Sequence, residues 1–224
     1  MAEEDIVGKI FGWVGTGIST FFFIAPVVPF LKLIKGETTI KESPGILLIC
    51  SFMNCILWGD YGLLINRFLI YFANGIGGVI TLIWIVIYII HFVDKKFGLA
   101  LLYNLILIIA IIGIDMLFFF IVPYQVTGKI AMVFNVLMYA SPGEKMITVC
   151  KTGNYKLIPI LSTLGGTACS ACWLIYGIYS SDWNQIIPNG LGVFFSIIQI
   201  FVFIIYKIKN GNGVAVKEED SSDV

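Results

Sequence analysis

Long apolar stretches follow one another along almost the whole chain and restrict its fold more than any other feature. Charged residues make up only 12% of the 224 residues, and hydrophobic residues make up 58%. In a bilayer the backbone must satisfy its own hydrogen bonds, and a spanning helix needs about 20 apolar residues. We therefore predict an all-α membrane protein with seven transmembrane helices, at 8–31, 45–65, 68–91, 98–122, 125–145, 157–180 and 185–207.

The positions of the basic residues predict the orientation. Of the 14 Lys and Arg residues, all but Lys9, Arg67 and Lys129 follow the first, third, fifth or seventh span. Basic residues concentrate in cytoplasmic loops, so we expect an extracellular or lumenal N-terminus and a cytosolic C-terminus. The acidic start, MAEEDIVGK, does not resemble a cleaved signal peptide. The formal net charge of zero indicates no nucleic-acid partner.

Two short motifs each occur twice with the same separation. WGDYG at Trp58–Gly62 returns 115 positions later as WLIYG at Trp173–Gly177, and NGIG at Asn74–Gly77 returns 115 positions later as NGLG at Asn189–Gly192. Spans one to three therefore correspond to spans five to seven. Because each repeat has an odd number of spans, the fourth span restores the same membrane direction to both copies. Transporters commonly use parallel repeats of this kind.

The repeat predicts the domain organisation, and four prolines follow a similar register. Pro44 and Pro159 are 115 positions apart, and Pro26 and Pro142 are 116 apart. We predict a 3-1-3 arrangement with a disordered cytosolic tail: a first three-helix repeat at 1–97, a linker helix at 98–123, a second three-helix repeat at 124–207 and the tail at 208–224.

Several longer segments carry a resemblance to a known family. These are APVVPFLKLIK, MNCILWGDYG, NGIG, YASPGEKMITVCKTGNYKLIP, CWLIYG and IPNGLG. Over nearly its whole length the sequence resembles the SWEET (MtN3/saliva) family of sugar uniporters. The resemblance implies bidirectional, gradient-driven diffusion of a mono- or disaccharide across the bilayer by alternating access. It also implies no enzymatic activity, no cofactor and a capacity to form homo-oligomers; the membrane is the plasma membrane or an endomembrane.

The duplicated polar and aromatic residues are the candidate sugar-binding groups. Asn74 and Asn189 lie about mid-span beside glycines, and an amide offers two donors and an acceptor to a polyol. Such residues can also join helices, but the shared register and the resemblance favour binding. Trp58 and Trp173 each precede their asparagine by 16 positions. Their rings can pack on a sugar face or can belong to an interfacial aromatic belt.

Four further positions are predicted to set the size of the cavity. Asn54 lies one helical turn before Trp58, and the resemblance adds Phe22, Leu137 and Cys169. In the family, small residues at such positions accompany disaccharides and larger residues accompany hexoses. Three of these four side chains are not small, so we expect a hexose such as glucose.

Prolines bend helices and can act as gating hinges. Pro26, Pro142 and Pro159 match proline positions of the family. The family's second-helix proline position is occupied by Leu47, and Pro44 lies about one turn earlier. Pro44 either replaces the hinge or only begins its helix.

Two carboxylates and the number of predicted spans are also compatible with functions other than sugar transport. Asp60 and Asp115 lie near or within the membrane spans, where acids serve as proton relays or as interfacial or paired groups. A proton-coupled PQ-loop carrier is one alternative, although the chain has no Pro-Gln pair. A seven-helix receptor is another, although duplicated triplets around an odd linker are foreign to that class. No cysteine or histidine spacing indicates a metal site.

Overall fold

The described part of the chain is almost entirely α-helical. The computed structural model describes residues 6–37, 45–92, 97–137 and 140–211, and within these ranges it contains no β-strand. The helices are α1 (Ile6–Ile24), α2 (Val27–Ile34), α3 (Gly45–Leu64), α4 (Phe68–Phe92), α5 (Phe97–Ile121), α6 (Tyr124–Leu137), α7 (Ala140–Thr152), α8 (Ile160–Tyr179) and α9 (Trp183–Gly211). They occupy the seven predicted spans, which confirms the all-α prediction.

One predicted span contains a described break, and two others have bounds that differ from the prediction. Span one is α1 followed by α2, with a turn at Ala25 and Pro26, because proline lacks an N–H and its ring clashes with the preceding turn. Span five is α6 followed by α7, and it continues beyond the predicted end at 145 to Thr152. Span six begins at Ile160, later than predicted, because Tyr155–Leu157 forms a separate 3₁₀ turn.

Of the other predicted hinge prolines, Pro159 is the N-cap of α8, a position where a missing N–H costs no helical hydrogen bond. Pro142 is the third described residue of α7, and residues 138–139 before this helix lie outside the described part of the chain. Pro44 lies outside the described residues. In contrast, Pro188 lies inside α9, which continues through it.

Among the residues that the structure describes fully, four helices are individually long and apolar enough to cross a bilayer: α1, α4, α8 and α9. Shorter apolar helical segments cover Leu48–Leu64 and Ile109–Ile121. Large apolar side chains on these helices are widely exposed, for example 71% of Phe21 and 64% of Phe201. In water such surfaces would be unfavourable, whereas in a bilayer they face lipid.

The first copy of the W-x-x-Y-G motif ends α3 in a Schellman turn. Asn66 adopts the left-handed conformation with φ 55°, which asparagine tolerates better than most residues. The Arg67 N–H donates to the Gly62 carbonyl at 2.8 Å, and the Asn66 N–H donates to the Leu63 carbonyl at 3.1 Å. These are the two hydrogen bonds that define the motif, and they turn the chain directly into α4.

The second copy ends α8 in the same way. Ser181 has φ 54°, the Asp182 N–H donates to the Gly177 carbonyl at 2.9 Å, and the Ser181 N–H donates to the Ile178 carbonyl at 3.1 Å. Each of these residues lies 115 positions after its counterpart in the first turn. The sequence repeat is therefore reproduced at the level of individual hydrogen bonds.

The chain divides into two compact units. One is Thr16–Ala131, and its core joins α2, α3, α4 and α5. Within it, the Trp84 indole N–H donates to the Phe23 carbonyl at 2.9 Å and the Trp84 ring stacks on Phe30 at 5.0 Å. The core is formed by Phe30, Leu48, Phe52, Ile85 and Ile111.

The other unit combines Met1–Gly15 with Met132–Val224, as far as these ranges are described. Its polar contacts join α9 to the preceding helices and the loop between them. They are Thr163 hydroxyl to Gln199 Oε1 at 3.2 Å, Tyr206 hydroxyl to the Cys150 carbonyl at 3.1 Å, and Asn210 Nδ2 to the Gly153 carbonyl at 3.0 Å. Because Thr163 and Gln199 are both buried, their hydrogen bond satisfies polar groups that would otherwise be costly in an apolar environment.

Candidate functional site

The two asparagines of the N-G-x-G motifs are held by their own helices in the same way. Asn74 Nδ2 donates to the Ile70 carbonyl and Asn189 Nδ2 donates to the Gln185 carbonyl, both at 2.8 Å and one turn earlier. Asn189 is 9% exposed and Asn74 is half-buried. Because the hydrogen bond to the carbonyl uses one hydrogen of each amide, Asn74 keeps its amide oxygen and second hydrogen for other partners, and Asn189 keeps its amide oxygen.

Gln185 gives Asn189 a second neighbour that Asn74 lacks. The Asn189 Nδ2 atom lies 3.4 Å from Gln185 Oε1, while the corresponding residue in the first repeat is the apolar Ile70. Gln185 is itself buried. The two asparagines therefore share an anchor but differ in the polarity of their surroundings, a difference the motif alone does not predict.

The paired tryptophans are buried and each contacts the tyrosine of its own motif. Trp58 is 4% exposed and meets Tyr61 edge-on, with ring centroids 5.7 Å apart. Trp173 is 8% exposed and meets Tyr176 edge-on at 5.5 Å. This burial is unlike an aromatic belt, whose rings lie at the membrane surface. Sequence reasoning missed Tyr61 and Tyr176, although both stand inside W-x-x-Y-G.

Asn54 and Trp58 carry polar atoms that are left unsatisfied. They lie one turn apart on α3, and the Asn54 Oδ1 and Trp58 Nε1 atoms are buried without a hydrogen-bond partner in the described part of the chain. An unpaired buried donor or acceptor costs about 1–3 kcal/mol. One atom accepts and the other donates, so a hydroxyl group, which does both, is complementary to the pair.

The structure describes the remaining predicted cavity residues in less detail. Phe22 is half-buried on α1, where its ring meets Phe21 edge-on at 6.5 Å, and Cys169 is half-buried on α8. Leu137 is the last residue of α6; its side chain lies outside the described part of the structure. The first unit holds Phe22, Asn54, Trp58 and Asn74, and the second holds Leu137, Cys169, Trp173 and Asn189.

The two membrane carboxylates form a pair. Asp60 on α3 and Asp115 on α5 lie close enough for their side chains to interact. A hydrogen bond between two carboxyl groups requires one of them to be protonated, since an ionised carboxylate only accepts. Asp60 Oδ2 and Asp115 Oδ1 are buried and have no partner among the described residues. The structure thus places the two acids side by side, and their role stays a prediction.

Sequence comparison finds the repeat and the family together. The profile of the MtN3/saliva family, described as sugar efflux transporters for intercellular exchange, matches residues 9–96 and again 125–211. The bidirectional sugar transporter SWEET1a of Sorghum bicolor is 33% identical over 219 residues, which cover 94% of this chain and 81% of the relative. SWEET1a of Oryza sativa subsp. japonica is 33% identical over 216 residues, covering 93% and 78%.

A solved structure has the same fold. The 3.7 Å structure of a eukaryotic SWEET transporter matches with a TM-score of 0.79 at 25% identity, covering 92% of this chain and 99% of that one. Both the double profile match and this superposition agree with two three-helix repeats around a linker helix. The chain therefore belongs to the MtN3/saliva (SWEET) family of transporters and is a multi-pass membrane protein, not an enzyme.

Proposed function

We propose that this protein carries sugars across a membrane in both directions, down their concentration gradient and by alternating access. The observation that carries the proposal is the duplicated asparagine, anchored to the carbonyl one turn earlier in both repeats. An anchored amide loses little rotamer freedom when it binds, which preserves affinity for a neutral polyol. The names of the relatives, bidirectional sugar transporters, support the same function.

The sugar would be bound by Asn74 and Asn189 through its hydroxyl groups, and by Trp58 and Trp173 through its apolar face. The unsatisfied atoms of Asn54 and Trp58 add a place for one further hydroxyl. Both atoms are covered by protein in this conformation, so a hydroxyl reaches them only when the helices separate. An alternating-access cycle supplies such a separation, with Pro26, Pro142 and Pro159 as the proposed hinges. Pro44 stays a predicted hinge on the sequence alone.

The decisive experiment is uptake of radiolabelled glucose into liposomes that contain only this protein. We expect glucose to equilibrate across the membrane without accumulating uphill. Empty liposomes provide the baseline. Glucose entry no faster than into empty liposomes would contradict the proposal. The N-terminus is proposed to be extracellular or lumenal, and the C-terminus cytosolic.

Transport is expected to be uniport, insensitive to pH gradients and protonophores. The proposed sugar site contains amides and indoles, and the acids Asp60 and Asp115 lie beside each other outside it. In Asp60→Asn or Asp115→Asn the new amide can donate the hydrogen bond that otherwise needs a proton. We therefore expect each variant to retain glucose flux within about twofold, a change below about 0.4 kcal/mol by the usual conversion of rate to free energy.

Glucose uptake by liposomes with and without an acid exterior tests this prediction. Uphill accumulation driven by acid outside, lost in either Asp→Asn variant, would instead identify a proton-coupled carrier. That outcome would assign the carboxyl pair to proton coupling.

A hexose is expected to be preferred over a disaccharide because Asn54 and Phe22 occupy space that a second sugar ring needs. Combining Asn54→Ser with Phe22→Val removes this volume, and we expect labelled sucrose to begin to cross. Phe21→Val is the matched control, since Phe21 is 71% exposed beside Phe22 and its truncation does not enlarge a buried cavity. Transport of sucrose by the unaltered protein at the rate of glucose would contradict the preference.

A further inference from the structure

A cavity with several polar side chains lies in the second unit, and none of the predicted sugar-binding residues lines it. Its volume is about 230 Å³, and its walls come from α7, α8 and α9 and the residues just before α8. The described lining includes six polar side chains: Lys145, Ser162, Thr163, Ser170, Ser196 and Gln199. The proposed transport function uses only Pro159 of this lining, as a hinge, and gives the polar side chains no role.

The polar groups of the lining favour an acceptor-rich, negatively charged ligand. Lys145 contributes a cationic donor, the Gln199 amide contributes N–H groups, and the hydroxyls can donate or accept. No carboxylate is present in the described lining; the neighbouring Glu144 is exposed and does not reach the cavity. Lys145 has no carboxylate partner among the described residues. A neutral sugar would make no use of this positive charge, whereas an anion would.

The first turn of α8 adds to the same preference. Pro159 and Thr163 both line the cavity, and Pro159, the N-cap of this 20-residue helix, provides no side-chain cap. The first N–H groups of a helix lack intrahelical acceptors and carry the positive end of its dipole, which together attract phosphate groups.

Two polar side chains of the cavity lining are preorganised by contacts within the protein. Thr163 is 7% exposed and Gln199 is 9% exposed, and their side chains are joined at 3.2 Å. The Thr163 hydroxyl also lies 3.3 Å from the Pro159 carbonyl, so these contacts hold the side chain between α8 and α9. Fixed polar groups bind a ligand without paying for their own ordering.

We propose that this cavity binds a phosphate monoester carried on a small polyol, with the phosphate near Lys145 and the first turn of α8 and the polyol among the serine hydroxyls. Two sources share this chemistry: a soluble sugar phosphate and the headgroup of a phosphoinositide lipid. Basic pockets between membrane helices on the side of the lysine-rich loops are suited to such headgroups. The site would thus take an anionic relative of the transported sugar, or a lipid, instead of the neutral sugar itself.

The test measures binding to the purified full-length protein in nanodiscs. In one arm glucose 6-phosphate is titrated by calorimetry, with glucose and inorganic phosphate as comparison probes. In the other arm, phosphatidylcholine nanodiscs with and without phosphatidylinositol 4-phosphate are compared by the thermal midpoint of the protein. We expect saturable binding in at least one arm, and the arm that responds identifies the source.

Lys145→Gln is expected to weaken that binding about tenfold or more, since hydrogen bonds to charged groups are the stronger ones. Ser162→Ala should weaken it less. Lys151→Gln is the matched control, because Lys151 is also exposed on α7 but does not line the cavity. Absence of binding in both arms, equal losses in Lys145→Gln and Lys151→Gln, or glucose binding as tightly as its phosphate would each overturn the proposal.

Sugar flux measured on the same preparation separates this inference from the proposed function. Flux without phosphate binding refutes only the cavity proposal, and phosphate binding without flux refutes only the transport function.

Discussion

Asn189→Ala and Asn74→Ala are each expected to reduce glucose flux to below about a tenth of the unaltered rate. Each substitution removes an amide that the helix holds in place through a 2.8 Å hydrogen bond to the carbonyl one turn earlier. In a site sealed from water, a sugar hydroxyl left without its partner costs about 1–3 kcal/mol. Tenfold in rate corresponds to about 1.4 kcal/mol, so one lost amide is sufficient.

The measurement is initial glucose flux in liposomes at equal protein content. Asn210→Ala is the matched control: Asn210 is also on α9, and its amide donates to the Gly153 carbonyl, so this variant loses a comparable hydrogen bond outside the proposed site. We expect it to keep at least half of the flux. If Asn189→Ala transported as well as Asn210→Ala, the asparagine would be an interhelical contact and not a sugar ligand.

Gly62→Ala is expected to destabilise the protein by at least about 1–3 kcal/mol, the usual cost of overpacking. A Cβ at Gly62 would lie 2.7 Å from the backbone nitrogen of Tyr71 and 2.9 Å from Ile70 Cβ. Neither atom can move without shifting the start of α4. Gly62 also accepts the hydrogen bond that closes the turn after α3, so the α3–α4 hairpin would have to open to admit the methyl group.

The second repeat provides an internal comparison. A Cβ at Gly177 would meet Gln185 Cβ at 2.9 Å and the Ile186 nitrogen at 3.2 Å. The approach to the backbone is less severe here than at Gly62. We therefore expect Gly177→Ala to be destabilising as well, but by less.

The stability of both variants is measured by the thermal midpoint in detergent and by the monodisperse fraction after extraction. Gly59→Ala is the control on α3, since its Cβ would meet nothing within 4 Å and alanine has the higher helix propensity. We expect it to be neutral or slightly stabilising. A Gly62→Ala protein as stable as Gly59→Ala would show that the two helices do not pack as closely as described.

The candidate site could be predicted from the sequence only as far as its residue types and their repeat. The 115-residue offset identified Asn74 and Asn189 as counterparts, and the structure gives both the same anchor. The orientation of each amide depends on which carbonyl it meets, which a motif does not specify. The additional neighbour of Asn189, the Gln185 side chain, results from a position where the repeats differ.

Other contacts arise from packing and have no sequence signature. Asp60 and Asp115 are 55 positions apart, in a repeat and in the linker helix respectively, and no periodicity relates them. Their pairing follows from the packing of α5 on α3 and α4. The hydrogen bond between Thr163 and Gln199 likewise joins α8 to α9. Hydropathy shows these two residues only as polar positions within apolar spans.

By itself the sequence determined the membrane environment, the number of spans and the duplicated triplet, because these follow from local hydropathy and from residues recurring at one fixed offset. Only the tertiary structure decided where the helices break, how the glycines allow α3 to meet α4, and which buried polar atoms find partners. The physical reason is the distance along the chain over which the interactions act. Helix formation in a bilayer is driven by backbone hydrogen bonds within one segment. Pairing of side chains such as Asp60 with Asp115 depends instead on interhelical geometry, which many sequences of the same hydropathy would satisfy differently.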